Sequence, residues 1–313
     1  MAERTIYAVS RKSGAPYPTI QAALDAVKER GDTGAAIRIA AGVYREKLVL
    51  DVPGLRLLGA EDGETRVVFG DSAKLLDGSG QPLGTFRTAA VRVSAADVTL
   101  ENLAIENDAG PGGIVGQAVA LHVAGDRCAV RGCWLLSHQD TLLIGPEIGA
   151  ICDALPCGRR AYLANCLIRG NTDFIFGSYA AWFERCTLRC VSQGKPVNAM
   201  IAAPNTPEGQ PFGFVFHRCV IDGDCGKATV YLGRPWRPFG RAAFLHCAMH
   251  ESVHPAGWLD WETPYRPVWP GLCETADTWS PARHKNGGRL ETSHPYAPEA
   301  VLSGVDGWRP WER

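Results

Sequence analysis

The stretch Ser137-His138-Gln139-Asp140-Thr141-Leu142 has an echo in Gly170-Asn171-Thr172-Asp173-Phe174-Ile175-Phe176-Gly177, and the two together decide how the chain folds. Each follows a similar lead-in, Arg131-Gly132-Cys133-Trp134-Leu135-Leu136 before the first and Ala164-Asn165-Cys166-Leu167-Ile168-Arg169 before the second. In both, the aspartate stands seven residues after the cysteine. Asp140 and Asp173 therefore fill one slot of a repeat. When such a repeat is one coil of a parallel β-solenoid, equivalent positions stack at an inter-strand spacing of roughly 4.8 Å. Two carboxyls that close cannot both ionise cheaply, and a pair of this kind suits acid/base or nucleophilic work.

The same slot recurs further on, as in Glu184-Arg185-Cys186-Thr187-Leu188 and His217-Arg218-Cys219-Val220-Ile221, and again at Cys247. With Asn102 taken as the slot of an earlier segment, the intervals to Cys133, Cys166, Cys186, Cys219 and Cys247 are 31, 33, 20, 33 and 28 residues. These spacings predict coils of about twenty residues or more, lengthened by loops on one side, with insertions at 144–160 and 203–212. The recurring cysteines read as a buried ladder of reduced, small apolar side chains. Cys152 with Cys157, or Cys186 with Cys190, is poor zinc spacing because no second Cys/His pair is clustered nearby, so no metal and no cofactor is expected.

Short strands bounded by Gly, Asp or Asn recur from Ala36 to the middle of the chain. They are preceded by Pro18-Thr19-Ile20-Gln21-Ala22-Ala23-Leu24-Asp25-Ala26-Val27, where Ile20, Ala23, Leu24 and Val27 form the stripe of an amphipathic helix with Thr19 as N-cap. This helix is expected to cap the open end of the solenoid. Beyond residue 255 the period fades and Trp258, Trp261, Trp269, Trp279, Trp308 and Trp311 crowd in. The predicted fold is an all-β parallel β-helix (solenoid) forming one domain over 1–313. Its motif-bearing part spans about 15–265, and a Trp-rich tail over 266–313 packs back along it.

Near-balanced charge, 32 basic against 33 acidic residues, leaves no basic stripe for nucleic acid or an anionic membrane. No window approaches the length of a membrane-spanning helix, and the N-terminus Met1-Ala2-Glu3-Arg4-Thr5-Ile6-Tyr7 lacks a charged-then-apolar leader. These features predict a cytoplasmic monomer that binds neither nucleic acid nor membrane, with secretion reserved for a chain that has lost a leader.

Four motifs carry the chemistry: Gly116-Gln117-Ala118-Val119-Ala120-Leu121, Gln139-Asp140-Thr141-Leu142, Asp173-Phe174-Ile175-Phe176-Gly177 and Leu232-Gly233-Arg234-Pro235-Trp236. With Tyr17-Pro18-Thr19-Ile20-Gln21-Ala22-Ala23, Gly42-Val43-Tyr44-Arg45-Glu46-Lys47 and Pro255-Ala256-Gly257-Trp258-Leu259-Asp260-Trp261, they resemble in order the pectin methylesterases, carbohydrate esterases that demethylate polygalacturonate. The resemblance covers roughly the first 265 residues. It implies a single-stranded right-handed parallel β-helix with a shallow cleft for pectin or a methylated oligogalacturonide. It also implies Asp173 as a nucleophile that forms an acyl-enzyme, Asp140 as general acid and base, Gln117 and Gln139 as oxyanion donors, Arg234 as the residue orienting Asp173, and Phe176, Trp236 and Trp258 as sugar-stacking walls.

Elementary electrostatics gives the same division. A guanidinium forked onto Asp173 lowers its pKa, while Asp140, beside that anion, is driven toward its protonated form. Neutral amides stabilise an oxyanion without adding a counter-charge. Where the family has Tyr after Gln-Asp-Thr-Leu this chain has Leu143, so an aromatic wall is expected to be missing. His138 invites a serine-esterase reading, but no Gly-x-Ser-x-Gly elbow exists in the chain. Two rival readings remain open on the sequence: a polysaccharide-cleaving β-helix enzyme, since carboxyl pairs also serve glycosidases, and a non-catalytic carbohydrate-binding solenoid.

Overall fold

One left-handed residue turns the chain at the same corner of coil after coil. In the computed structural model, which describes residues 5–61, 64–146, 158–261, 272–274 and 296–312, Asn102, Gly132, Asn165, Arg185, Arg218 and His246 have φ between 51° and 59°. A non-glycine residue adopts this conformation at a cost of roughly 1–2 kcal/mol. The corner is held by hydrogen bonding between coils: the N–H groups of Asn102, Gly132, Asn165, Arg185 and Arg218 donate to Arg131, Ala164, Glu184, His217 and Leu245 at 2.9–3.0 Å. The residue after the corner then points inward. Leu103, Cys133, Cys166, Cys186, Cys219 and Cys247 fill that position, all buried.

This corrects the register expected from the sequence. Asn102 occupies the corner, one residue short of the cysteine slot, which Leu103 takes in its coil; asparagine tolerates the left-handed region better than most residues, and leucine fills the interior.

Successive coils stack in parallel and in register into three sheets, of ten, seven and eight strands among the described residues. This is a parallel β-helix. One coil runs through Cys128–Arg131 in the ten-stranded sheet, Trp134–Leu136 in the eight-stranded sheet and Leu142–Ile144 in the seven-stranded sheet. The next repeats it as Arg160–Ala164, Leu167–Gly170 and Ile175–Gly177. Equivalent strand positions stack like on like inside, whatever the length of the loops between them. Phe183, Phe216 and Phe244 form a column with centroids 4.5 and 4.4 Å apart, close to the strand spacing itself.

The cysteine ladder is thiol, not disulfide. Eight described cysteines are free and buried, and the ladder thiols donate back to carbonyls of the preceding coil, such as Cys219 Sγ to Phe183 O at 3.5 Å and Cys247 Sγ to Phe216 O at 3.3 Å. Burial pushes Cys133, Cys166, Cys186 and Cys219 well above the ordinary thiol range. Cys152, Cys157 and the side chain of Cys273 lie outside the described residues, as do Trp269 and Trp279.

The helix Ile20–Glu29 forms where its stripe predicted, with Ile20, Ala23, Leu24 and Val27 buried in the main core. Thr19 Oγ1 accepts from Ala22 N at 3.1 Å. Two further N-terminal donors, Ile20 N and Gln21 N, are taken by the two carboxylate oxygens of Glu46 at 3.0 and 2.9 Å, so a residue from the Tyr-Arg-Glu-Lys motif pins the start of this helix. At the far end of the chain, Val301 and Leu302 of the short helix Pro298–Leu302 pack against Tyr162, Trp182 and Val215 on the outer face of the ten-stranded sheet. Arg160 ties this segment down through Asp306 and Asp126.

Candidate active site

The corner between the eight- and seven-stranded sheets carries the candidate carboxyl pair. Asp140 precedes the strand Leu142–Ile144 and Asp173 precedes Ile175–Gly177; these strands pair as Leu142↔Ile175 and Leu143↔Phe176. Both aspartates are left-handed, with φ of 62° and 49°. The amide of Asp140 donates to Thr172 O at 3.1 Å, so the pair sits one coil apart.

Arg234 follows the strand Val230–Gly233, at the edge of the seven-stranded sheet and two strands beyond Ile175–Gly177. Two strand spacings are roughly 9–10 Å, a gap that a long side chain can span. Its Nε donates to Asp173 Oδ1 at 2.9 Å and its Nη2 to Asp173 Oδ2 at 2.7 Å, a bidentate fork of the strong, charge-assisted kind. Gln117 and Gln139 line the same pocket, of about 250 Å³, together with Asp140, Asp173, Phe176, Trp236 and Arg234. Gly112 makes room for one of these amides: a Cβ there would lie 2.6 Å from Gln139 Oε1 and 2.6 Å from its Cβ.

Both carboxyls are nearly buried, Asp140 at 8% and Asp173 at 7% exposure. Burial raises Asp140 well above the carboxylate range, and the neighbouring charge of Asp173 adds to it. Asp173 also moves upward, because burial outweighs the Arg234 guanidinium that works against it. The lowered pKa expected for Asp173 is thus not what the site produces: the sequence shows the cation, but not how dry the pocket is. The fork still divides the pair, since Asp173 carries the directly bonded cation.

One aromatic expectation changes. Trp258 is not a cleft wall. It is 5% exposed and lies edge-on to Phe244 at 5.8 Å, ending the internal phenylalanine column. Three residues on, Trp261 lines the pocket in its stead, with Arg234 Cζ 3.9 Å from its ring centroid. The spacing of the two tryptophans could not tell inside from outside, because the solenoid's period has ended there. Leu143, where an aromatic wall was expected to be missing, is buried and packed with Phe176, Val119, Ala203 and Trp236. Thr85 and the exposed Phe86, in the turn Thr85–Arg87, complete the rim; nothing in their local sequence marks them. His138 does not line the pocket.

A carboxyl pair with one forked arginine and two facing amides, set along an outer sheet of a parallel β-helix, is the equipment of a hydrolase acting on an extended substrate. The family model for pectinesterases matches residues 7–268. Pectinesterase 31 of Arabidopsis thaliana is 31% identical over 88% of this chain and 86% of its own length. Pectinesterase 1 of Citrus sinensis is 31% identical over 79% of this chain but 40% of its own. Among solved structures, a pectin methylesterase in complex with a hexasaccharide superposes with a TM-score of 0.80 at 25% identity, covering 99% of both chains. The enzyme from carrot gives 0.71 at 27%, covering 93% of this chain and 86% of that one.

The chain belongs to the pectinesterase family. It is a carboxylic ester hydrolase that removes methyl esters from pectin. The cytoplasmic placement expected from the N-terminus is overturned: these relatives are pectinesterases, whose polymer lies in the cell wall outside the cell, and the comparisons support a secreted enzyme. Free cysteines do not argue otherwise, since a buried thiol with a raised pKa is inert even where oxidants are present.

Proposed function

We propose that Asp173 is the nucleophile of this esterase and Asp140 its acid and base. The observation that carries the reading is the fork of Arg234 on Asp173, which favours the carboxylate there and leaves the neighbouring Asp140 to hold the proton. The Asp173 carboxylate adds to the methyl ester carbonyl, and the oxyanion that forms is met by N–H groups of Gln117 and Gln139, each worth a few kcal/mol in such a role. As the C–O bond to methoxide breaks, Asp140 gives up its proton and methanol leaves. The galacturonyl group is then joined to Asp173 as an anhydride. Asp140, now a carboxylate, takes a proton from water, whose oxygen attacks the anhydride carbonyl; Asp173 departs as the carboxylate and the product is the uronic acid.

Trp236, half-buried and T-shaped against Phe176 at 6.1 Å, offers an apolar face to a sugar ring flanking the reacting one, and the buried Phe176 backs it from the pocket floor. All five polar groups come from one chain, so the reading needs no second subunit, and it needs no membrane. The substrate is methyl-esterified polygalacturonate or its oligomers. Assay of methanol and acid from methylated pectin tests this: the two should appear in equal amounts with no new reducing ends. Reducing ends in step with turnover would replace ester hydrolysis by cleavage of the glycosidic bond.

A further inference from the structure

Arg234 is held from two directions. Its edge is forked onto Asp173, and its face lies on Trp261, with Cζ 3.9 Å from the ring centroid. That separation is well inside the ~6 Å within which a guanidinium is attracted to an indole face. The fork alone leaves the guanidinium free to roll about the axis of its two hydrogen bonds; a ring against its face removes that freedom. The ring is itself anchored. Leu259 N donates to Gly233 O at 3.0 Å, and Trp258, bridged to Gly233, is buried in the core. The segment carrying Trp261 is therefore bonded to the strand that carries Arg234, and Arg234 N is bonded to Ala202 O at 2.9 Å.

We propose that Trp261 is a positioning residue for the ester chemistry: its ring sets the plane of Arg234 and so keeps both guanidinium donors on the two oxygens of Asp173. The proposal rests on Asp173 as the nucleophile. It assigns Trp261 a task distinct from that of a sugar wall such as Trp236, although both rings line the pocket. A wall binds ground state and transition state alike and moves KM, whereas a residue that aims the nucleophile moves kcat. It also moves the acid limb of the pH profile. When the fork loosens, the Asp173 carboxylate loses stabilisation, its protonation sets in at higher pH, and the limb shifts upward. Of the residues lining the pocket, Asp140, Asp173 and Arg234 are the titratable or charged ones, and Asp260, next to Trp261, is exposed to solvent.

The test is steady-state kinetics on methylated pectin with Trp261→Leu and Trp261→Phe, each alone and combined with Arg234→Lys, which keeps the charge but removes the planar fork. For Trp261→Leu, kcat should fall about three- to thirty-fold, the range between an exposed and a desolvated cation–π contact, with KM nearly unchanged and the acid limb moved to higher pH. Trp261→Phe keeps a ring and should recover much of both effects; it carries the same comparison should the Leu variant fail to fold. In the Arg234→Lys background the Trp261 penalty should shrink to within about twofold, because the plane it sets is gone. A rise in KM with kcat and limb unchanged, or an equal penalty in both backgrounds, would overturn the proposal. Mass spectrometry of the quenched parent enzyme separates the two layers: an acyl adduct on Asp140 refutes the nucleophile assignment, while coupling between positions 234 and 261 still decides whether the ring sets the arginine.

Discussion

Asp140 and Asp173 share not only a slot but a backbone conformation: both are left-handed, at φ 62° and 49°, on adjoining coils. Aspartate and asparagine are among the few residues that enter this region readily. Substitution by Asn therefore keeps the corner and changes only the carboxyl, whereas Ala adds strain. Asp173→Asn should abolish the acyl-enzyme. Asp140→Asn should lose about 10²–10⁴-fold on pectin yet still acylate from an activated aryl ester that needs no proton on leaving. Rapid-quench mass spectrometry with such an ester checks both, and rescue of Asp173→Asn instead would exchange the two roles.

The raised carboxyls fix the sign of the pH response. On the proposed roles the working state has Asp173 ionised and Asp140 protonated, so kcat/KM should be bell-shaped. Its acid limb reports protonation of Asp173 and its alkaline limb loss of the Asp140 proton, as macroscopic values of a coupled pair. Stability runs the other way for Asp140. A carboxyl whose folded pKa lies above its unfolded value stabilises the fold only at low pH, and that contribution is lost as pH rises through the folded value. Asp140→Asn should thus melt above the parent enzyme at neutral pH, with the gap closing in acid. Thermal melts across that range decide it; a gap that widens in acid would contradict the assigned direction.

Gly112 lies outside the chemistry but against it. A methyl group there would press on Gln139 Oε1 and Cβ at 2.6 Å, and a misplacement of about 1 Å in a catalytic group can cost on the order of 10²-fold. Gly112→Ala should therefore reduce kcat by about that factor with little change in melting temperature. Unchanged turnover would mean that the Gln139 amide is not held where the oxyanion forms.

Glu46 gives the converse case, a stability residue without catalytic effect. Its carboxylate takes the Ile20 and Gln21 amides, and Glu46→Ala should cost about 1–2 kcal/mol, as lost N-terminal caps do. Denaturant midpoints should fall with kcat preserved.

The described thiols should be silent in the native enzyme and appear together on unfolding. Titration with a thiol reagent should find none of the eight described cysteines reactive in buffer and all of them reactive in denaturant, without added reductant. A disulfide among them would show as a deficit in the second count.

What the sequence disclosed followed from repetition. The seven-residue offset from Cys133 to Asp140 and from Cys166 to Asp173 is a period, and periods translate directly into stacked positions; Gln117, Gln139 and Arg234 sat in motifs dense enough to be matched in order. Where the repeat stops, the reading lost its footing. Trp258 and Trp261 are three residues apart, and only the packing of Phe244 decides which turns inward. Asn102 slipped by one because a left-handed corner and an inward slot adjoin, and an unbranched polar residue was read as the latter. The upward shift of Asp173 depends on solvent exclusion by residues far apart in the chain. Thr85 and Phe86 reach the rim through a turn that no local pattern announces.

The aromatic column running through Phe183, Phe216 and Phe244 to Trp258 makes the last coils a queue in which each member leans on the one before. Solenoids of this kind hold together by nearest-neighbour contacts and come apart from their ends. Arg234 follows the strand that is terminal in its sheet among the described residues, and the backbone of Gly257 and Leu259 seals that strand. On the proposed role of Arg234, heat should therefore act first at this margin: fraying of that one end would release the arginine and silence the ester chemistry while the coils bearing both aspartates are still wound.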